Sequence, residues 1–110
     1  MNPLENFPEM KLFQRKVLEA TLRVPAGKVT TYQAIAKRIE SRAYQAIGQA
    51  LRRNPLPITI PCHRIVKSDL SLGGFLGDQT ERKLELLQNE GVFLDENGKI
   101  PEKFVIKTID

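Results

Sequence analysis

Apolar residues recur at helical spacing in four stretches of the chain. Met10, Phe13, Val17 and Leu18 form one stripe, ending near Leu22. Asn6 ahead of Pro8 and Glu9 reads as its start, with Asn6 as N-cap and Glu9 at N3. Tyr32, Ile35, Ala36 and Ile39 give a second inner face, capped by Thr30 or Thr31. Ser41 is placed to cap a third helix over 42–53, with Ala43, Ile47, Ala50 and Leu51 facing inward. A last helix, about 79–89, has Asp78 as cap, Glu81 at N3, Leu84, Leu86 and Leu87 inside, and Gly91 as its stop. Between these, 25–28 reads as a turn. Pro55, Pro57 and Pro61 forbid a helix and predict an extended, stiff segment over 54–66. Residues 68–74 read as a loop. Two apolar runs, 92–94 and 104–106, flank the turn 95–99 and predict a terminal β-hairpin.

The third helix has a second face. Gln45, Gly48, Gln49 and Arg52 fall at i, i+3, i+4 and i+7, so they share the side opposite the apolar stripe. A glycine inside a helix costs about 1 kcal/mol relative to alanine. Either a neighbouring helix or an approaching external backbone could require it. Two short helices joined by a tight turn, the second polar and basic outside, suggest a helix-turn-helix.

Composition narrows the class. With 110 residues there is room for one domain, 1–110. Lys+Arg exceed Asp+Glu by 17 to 13, compatible with a polyanionic partner. Lys37, Arg38, Arg42, Arg52 and Arg53 cluster in and around the helix pair, as phosphate contacts would, and such contacts make binding salt-dependent. A single cysteine cannot form an internal disulfide. No signal peptide and no membrane span is evident, which predicts a cytoplasmic protein, nuclear in a eukaryote.

The only cysteine and the only histidine are neighbours, Cys62 and His63, behind Pro61. A thiol beside an imidazole can become a thiolate, the reactive nucleophile. A lone cysteine is more often a small buried hydrophobe, and a lone histidine an ordinary polar residue. The residues around the pair weigh the balance toward chemistry.

Those residues are Pro25-Ala26-Gly27-Lys28-Val29-Thr30-Thr31-Tyr32, the segment Ala46-Ile47-Gly48-Gln49-Ala50-Leu51, Asn54-Pro55, Pro61-Cys62-His63-Arg64-Ile65, Ser71-Leu72-Gly73-Gly74-Phe75, and Glu81-Arg82-Lys83 through to Glu90-Gly91. On them, the chain resembles the catalytic, DNA-binding domain of the O6-alkylguanine-DNA alkyltransferases, or methylated-DNA–protein-cysteine methyltransferases. The resemblance implies a mainly α (α/β) fold of winged helix-turn-helix type with a small C-terminal β element. It implies a helix-turn-helix (about 30–53) in the minor groove of double-stranded DNA and a flipped O6-alkylguanine. The alkyl group passes irreversibly to Cys62 in a single turnover that uses no cofactor and no metal. By the same resemblance, His63 is the base, Glu90 hydrogen-bonds the imidazole and favours its charged form, Tyr32 donates to the purine, and Asn54 braces the active-site turn. Tyr44, Gln45, Gly48, Gln49 and Arg52 face DNA, and Ile65, Phe75 and Leu76 belong to the substrate pocket. Backbone groups of Cys62, Ile65 and Leu76 read the guanine edge, Arg64 is structural, and the protein is expected to be a monomer.

Departures from the family pattern sharpen these expectations. Gln45 stands where the family has an intercalating arginine, and lacks its charge and guanidinium plane. Tyr44 replaces a small residue and, with Gln45, is placed to supply a stacking wedge. Phe75 replaces a tyrosine. The separate N-terminal domain of typical members has no counterpart here, so the core is expected to be less buttressed. Two other readings remain open: a damage sensor that binds O6-alkylguanine without removing the alkyl group, and a winged-helix regulator with an incidental thiol. Cys62 argues against the first, and Cys62, His63 and Glu90 together against the second.

Overall fold

The computed structural model describes residues 2–73 and 79–110. Helix α1 spans Leu12–Leu22, strand β1 Val29–Thr31, α2 Tyr32–Arg38, α3 Tyr44–Arg52, β2 Ile65–Val66, α4 Thr80–Asn89 and β3 Val105–Ile106. The strands form one parallel sheet in the order β2-β1-β3. Two apolar clusters fill the interior. Val17, Leu18, Ile35, Ile47 and Leu51 pack where α1, α2 and α3 meet, and Val29, Val66, Leu87, Val92 and Ile100 pack between the sheet and α4.

Local chemistry explains most boundaries. Thr31 caps α2 by accepting from the Ala34 N–H at 3.1 Å. The turn before β1 closes through Lys28 N–H to Pro25 C=O, with Gly27 at φ +87°, the sign a type II turn needs at that position. α4 ends in a Schellman motif. Gly91, at φ +86°, donates to Gln88, and Val92 donates to Leu87. This stop puts Glu90 at the C-cap. α2 ends with the same bond pattern, Glu40 to Lys37 and Ser41 to Ala36, but Glu40 occupies the left-handed position at φ +56°. No glycine marks that turn, so the sequence carried no sign of its shape.

Four expectations are corrected. Asn6 does not cap α1. Residues Pro3–Asn6 form a 3-10 turn capped by Asn2, and α1 starts six residues after Asn6. The cause is Leu4, which is fully buried, and Arg15, whose guanidinium holds the carbonyls of Leu4 and Phe7 and folds the segment back over α1. α3 begins at Tyr44, because the Ser41 hydroxyl accepts from the Ala43 N–H ahead of the helix, and Ala43 is exposed rather than inward. The segment 54–61 is not extended but curls, as the next subsection describes. The terminal hairpin does not form. β3 instead pairs in parallel with β1, Val29 opposite Val105 and Thr30 opposite Ile106, and the Thr30 hydroxyl donates to the Ile106 carbonyl. Val92 is committed to the core and to the α4 stop, which leaves 92–94 no partner strand. The turn between them is present, with Asp95 accepting from the Asn97 and Lys99 N–H groups. Asp78, expected to cap the last helix, lies outside the described residues. α4 starts one residue after Gln79, its N-cap position.

The N-terminal segment is thus part of the core rather than a tail. Leu4→Ala should destabilise the fold by about 2–5 kcal/mol, the usual cost of a buried leucine truncation, in urea denaturation. A change within the range of surface substitutions would show that the segment does not pack.

Candidate active site

Three tight turns in sequence present Cys62. In the first, the Ile60 N–H reaches back to the Leu56 carbonyl at 2.9 Å, with Ile58 in the left-handed region at φ +76°. In the second, Pro61 adopts φ −80°, ψ 64°, an inverse γ-turn, and the Cys62 N–H donates to Ile60 at 2.7 Å. The third is the 3-10 turn Cys62–Arg64, closed by Arg64 N–H to Pro61 C=O at 2.9 Å. The prolines do not straighten this segment. They fix φ at the bends.

Asn54 holds the first turn from within. Its side-chain oxygen accepts from the Leu56 N–H at 2.9 Å, and its Nδ2 donates to the Ile60 carbonyl at 2.8 Å. The residue is buried, and its amide favours the ionised form of the nearby Cys62 thiol.

Behind the thiol lies a charge array. His63 is fully buried, with Nε2 3.1 Å from Glu90 Oε2. Arg64 clasps the same carboxylate with two nitrogens, Nε to Oε1 at 2.9 Å and Nη2 to Oε2, and gives Nη1 to the Val24 carbonyl at 2.7 Å. Burial lowers the His63 pKa below its usual value. Glu90 opposes this, while Arg64 and Lys83 reinforce it, so the imidazole is neutral near pH 7. The sequence correctly paired Glu90 with His63, but burial outweighs its pull toward the charged form. A neutral imidazole is the state that can accept a proton. Burial would raise the Glu90 pKa, but the hydrogen bonds from Arg64 and His63 dominate and lower it. Arg64 is thus a structural tie, as expected, and also keeps Glu90 ionised.

The thiol itself is 7% exposed, and burial pushes its pKa up, against the Asn54 hydrogen bond and the charge of Lys83. Tyr32, the first residue of α2, keeps its proton because of burial and its nearness to Cys62, with Arg52 acting in the opposite direction. The fold therefore gathers Cys62, His63, Glu90, Asn54 and Tyr32. Ile65 is buried beside them. Its N–H donates to Cys62 and its carbonyl accepts from Lys83. Phe75 and Leu76 lie outside the described residues.

Lys83 is the residue that sequence reasoning missed. It is fully buried on α4, and its ammonium donates to the carbonyls of Ile65 at 2.6 Å and Leu72. Burial pulls its pKa down to about 8, against the attraction of Cys62. A signal was available: Lys83, Leu87 and Glu90 fall at i, i+4 and i+7, so a lysine occupies the inward stripe of the helix.

On α3, Tyr44, Gln45, Gln49 and Arg52 are exposed, Tyr44 at 51%. A Cβ placed on Gly48 would meet nothing within 4 Å, so packing inside the protein does not require this glycine. The face is open to a backbone arriving from outside.

Two helices joined by a tight turn, followed by the Asn54-braced turns that end at a buried cysteine, define a helix-turn-helix fold with a thiol seated close behind it in the chain. The family model described as the DNA-binding domain of 6-O-methylguanine DNA methyltransferase matches residues 12–92, and the chain belongs to that family. A methylated-DNA–protein-cysteine methyltransferase of Bacillus subtilis is 43% identical over 81 residues, covering 73% of this chain and 49% of the relative. The OGT of Mycobacterium tuberculosis, solved in complex with DNA, superposes with a TM-score of 0.69 at 36% identity, covering 74% of this chain and 50% of that one. Atl1 of S. pombe, in complex with DNA containing O6-carboxymethylguanine, superposes at 0.72 over 89% of this chain and 99% of its own, and at 24% identity it shows a shared fold. The chain spans about half the length of the curated relatives it matches.

The placement of Lys83 generates a prediction. Lys83→Met removes a positive charge that lowers the thiol's pKa. The pH profile of Cys62 modification by iodoacetamide should move upward, because the thiolate loses a cation that favours it. An unmoved profile would show that the ammonium does not act on the thiol.

Proposed function

We propose that the chain repairs DNA by direct reversal, moving an alkyl group from O6-alkylguanine in a duplex to Cys62. The observation that carries this is the seat of Cys62, held by the Asn54-braced turns and followed by the buried His63 on the half-buried Glu90–Arg64 pair. α3 would lie in the minor groove with Gly48 allowing close approach, and the damaged base would leave the stack to reach the thiol. The neutral His63 accepts the thiol proton through a water. The sulfur then attacks the alkyl carbon, the bond from carbon to O6 breaks, and guanine departs with the bonding electrons. Tyr32, kept protonated by burial, donates a hydrogen bond to the purine as charge builds there. The product thioether does not hydrolyse readily, so each chain reacts once, with no cofactor or metal.

The test is intact-protein mass after incubation with a duplex holding one O6-methylguanine. A gain of one methylene mass on Cys62, absent in Cys62→Ser, is the expected result. Tight binding with no mass change would overturn transfer and leave the sensor reading.

The wedge is a separate part of the proposal. Tyr44 stands exposed at the first turn of α3 beside Gln45, where it can stack in the gap left by the flipped base. Loss of a stacking contact costs about 1–3 kcal/mol per base. Tyr44→Ala should therefore weaken binding of the damaged duplex and slow transfer by about tenfold or more, with no loss of thermal stability. Unchanged affinity and rate would remove Tyr44 from the mechanism.

A further inference from the structure

Two clefts open side by side where the C-terminal ends of α1 and α2 meet the last residues of the chain. One, about 450 Å³, is lined by Lys37, Arg38 and Lys107. The other, about 320 Å³, is lined by Lys16, Arg23 and Arg38. Arg38 and Glu40 line both, so the clefts form one strip.

Five cations border this strip against two carboxylates, Glu19 and Glu40. All five cations are exposed. Among the described residues, Lys16, Arg23, Lys37 and Arg38 make no ion pair, although the two carboxylates share their clefts. Lys107 holds Glu102 at 3.4 Å, but both side chains are 73% exposed, and such a contact adds little. Arg23 is the C-cap of α1, and Lys37 and Arg38 stand in the last turn of α2, where a cation offsets the negative end of the helix. Lys16, in the middle of α1, and Lys107, beyond β3, have no such use. Unpaired cations along a concave surface sum their potentials and draw a polyanion.

The position of the strip narrows the choice of polyanion. Glu40 and Ser41 form the turn from α2 to α3, so the strip begins at the N-terminal end of the recognition helix, next to Arg42 and Tyr44. The strip thus adjoins, through the α2–α3 turn, the helix on which the duplex is proposed to sit, and its charge suits the duplex backbone. We propose that the strip is a second phosphate-binding surface, off the recognition helix, that follows the backbone of the same duplex. The proposal rests on the DNA-repair reading above and extends the footprint to α1 and the C-terminal segment.

The double variant Lys16→Gln/Arg23→Gln tests it, because both residues are exposed on α1 and its C-cap and neither hydrogen-bonds the residues that hold the thiol. Binding to a duplex with a central O6-methylguanine is followed over a range of salt concentrations. Each lost phosphate contact lowers the slope of log affinity against log salt by about 0.9, so the variant's slope should be shallower by about two. Modification of Cys62 by iodoacetamide, measured on the same samples, should keep the wild-type rate, showing an intact site. A slope equal to wild type, with that rate intact, overturns the proposal and makes the strip a solvated face. Failure of the wild-type chain to bind or react would instead overturn the repair reading.

Discussion

The structure depends on one carboxylate. Glu90 receives hydrogen bonds from Arg64 through two nitrogens and lies against His63 Nε2. Arg64 in turn grips Val24, just past the end of α1. A single group thus joins the C-cap of α4, the active-site turn and the helical cluster around α1. A partly buried acid is stable in this position only because its charge is matched, and removing either partner would leave an unpaired charge in a region of low polarity. The Schellman stop at Gly91 places that acid.

The same economy governs the reactive side. Cys62, His63 and Lys83 are all buried, and burial opposes the charged form of each. Histidine responds by staying neutral. Lysine keeps part of its charge by binding two carbonyls and by facing the thiol. The thiol keeps its proton because burial outweighs the pull of Lys83. None of these groups alone is an unusual nucleophile or base. Their behaviour comes from sharing one dry space, in which each charge is felt by the others.

Lys83 also links the chemistry to the fold. It fastens Ile65, the first residue of β2, to Leu72 in the loop that follows, from a position on α4. The second apolar cluster surrounds that tie with Leu72, Leu87 and Val66. Asn54 ties the turn on the N-terminal side of Cys62, bridging Leu56 and Ile60, so the segments on both sides of the thiol are fastened.

Local features were legible in the sequence wherever a residue acts on its near neighbours. Thr31 as a cap, Gly91 as a stop, the inner face of α2, that of α3 apart from Ala43, and the outer face of α3 follow from short-range spacing. The Cys62–His63 pair and its link to Glu90 were legible through the motif they form. What the sequence could not settle were choices between partners distant in the chain. Asn6 had the local chemistry of a cap, but burial of Leu4 and the reach of Arg15 moved the start of α1. Residues 92–94 and 104–106 had the pattern of a hairpin, but β1 was a better partner for β3. The prolines of 54–61 specified rigid φ angles, yet the direction of the curl came from Asn54 bridging Leu56 and Ile60. By itself, the sequence determined the existence of the four helices and the reactive residue types, because these rest on periodicity, backbone preference and side-chain chemistry within a few residues. Only the tertiary structure decided which groups share the buried space around Cys62, because burial and charge pairing act between residues that the chain brings together only when it folds.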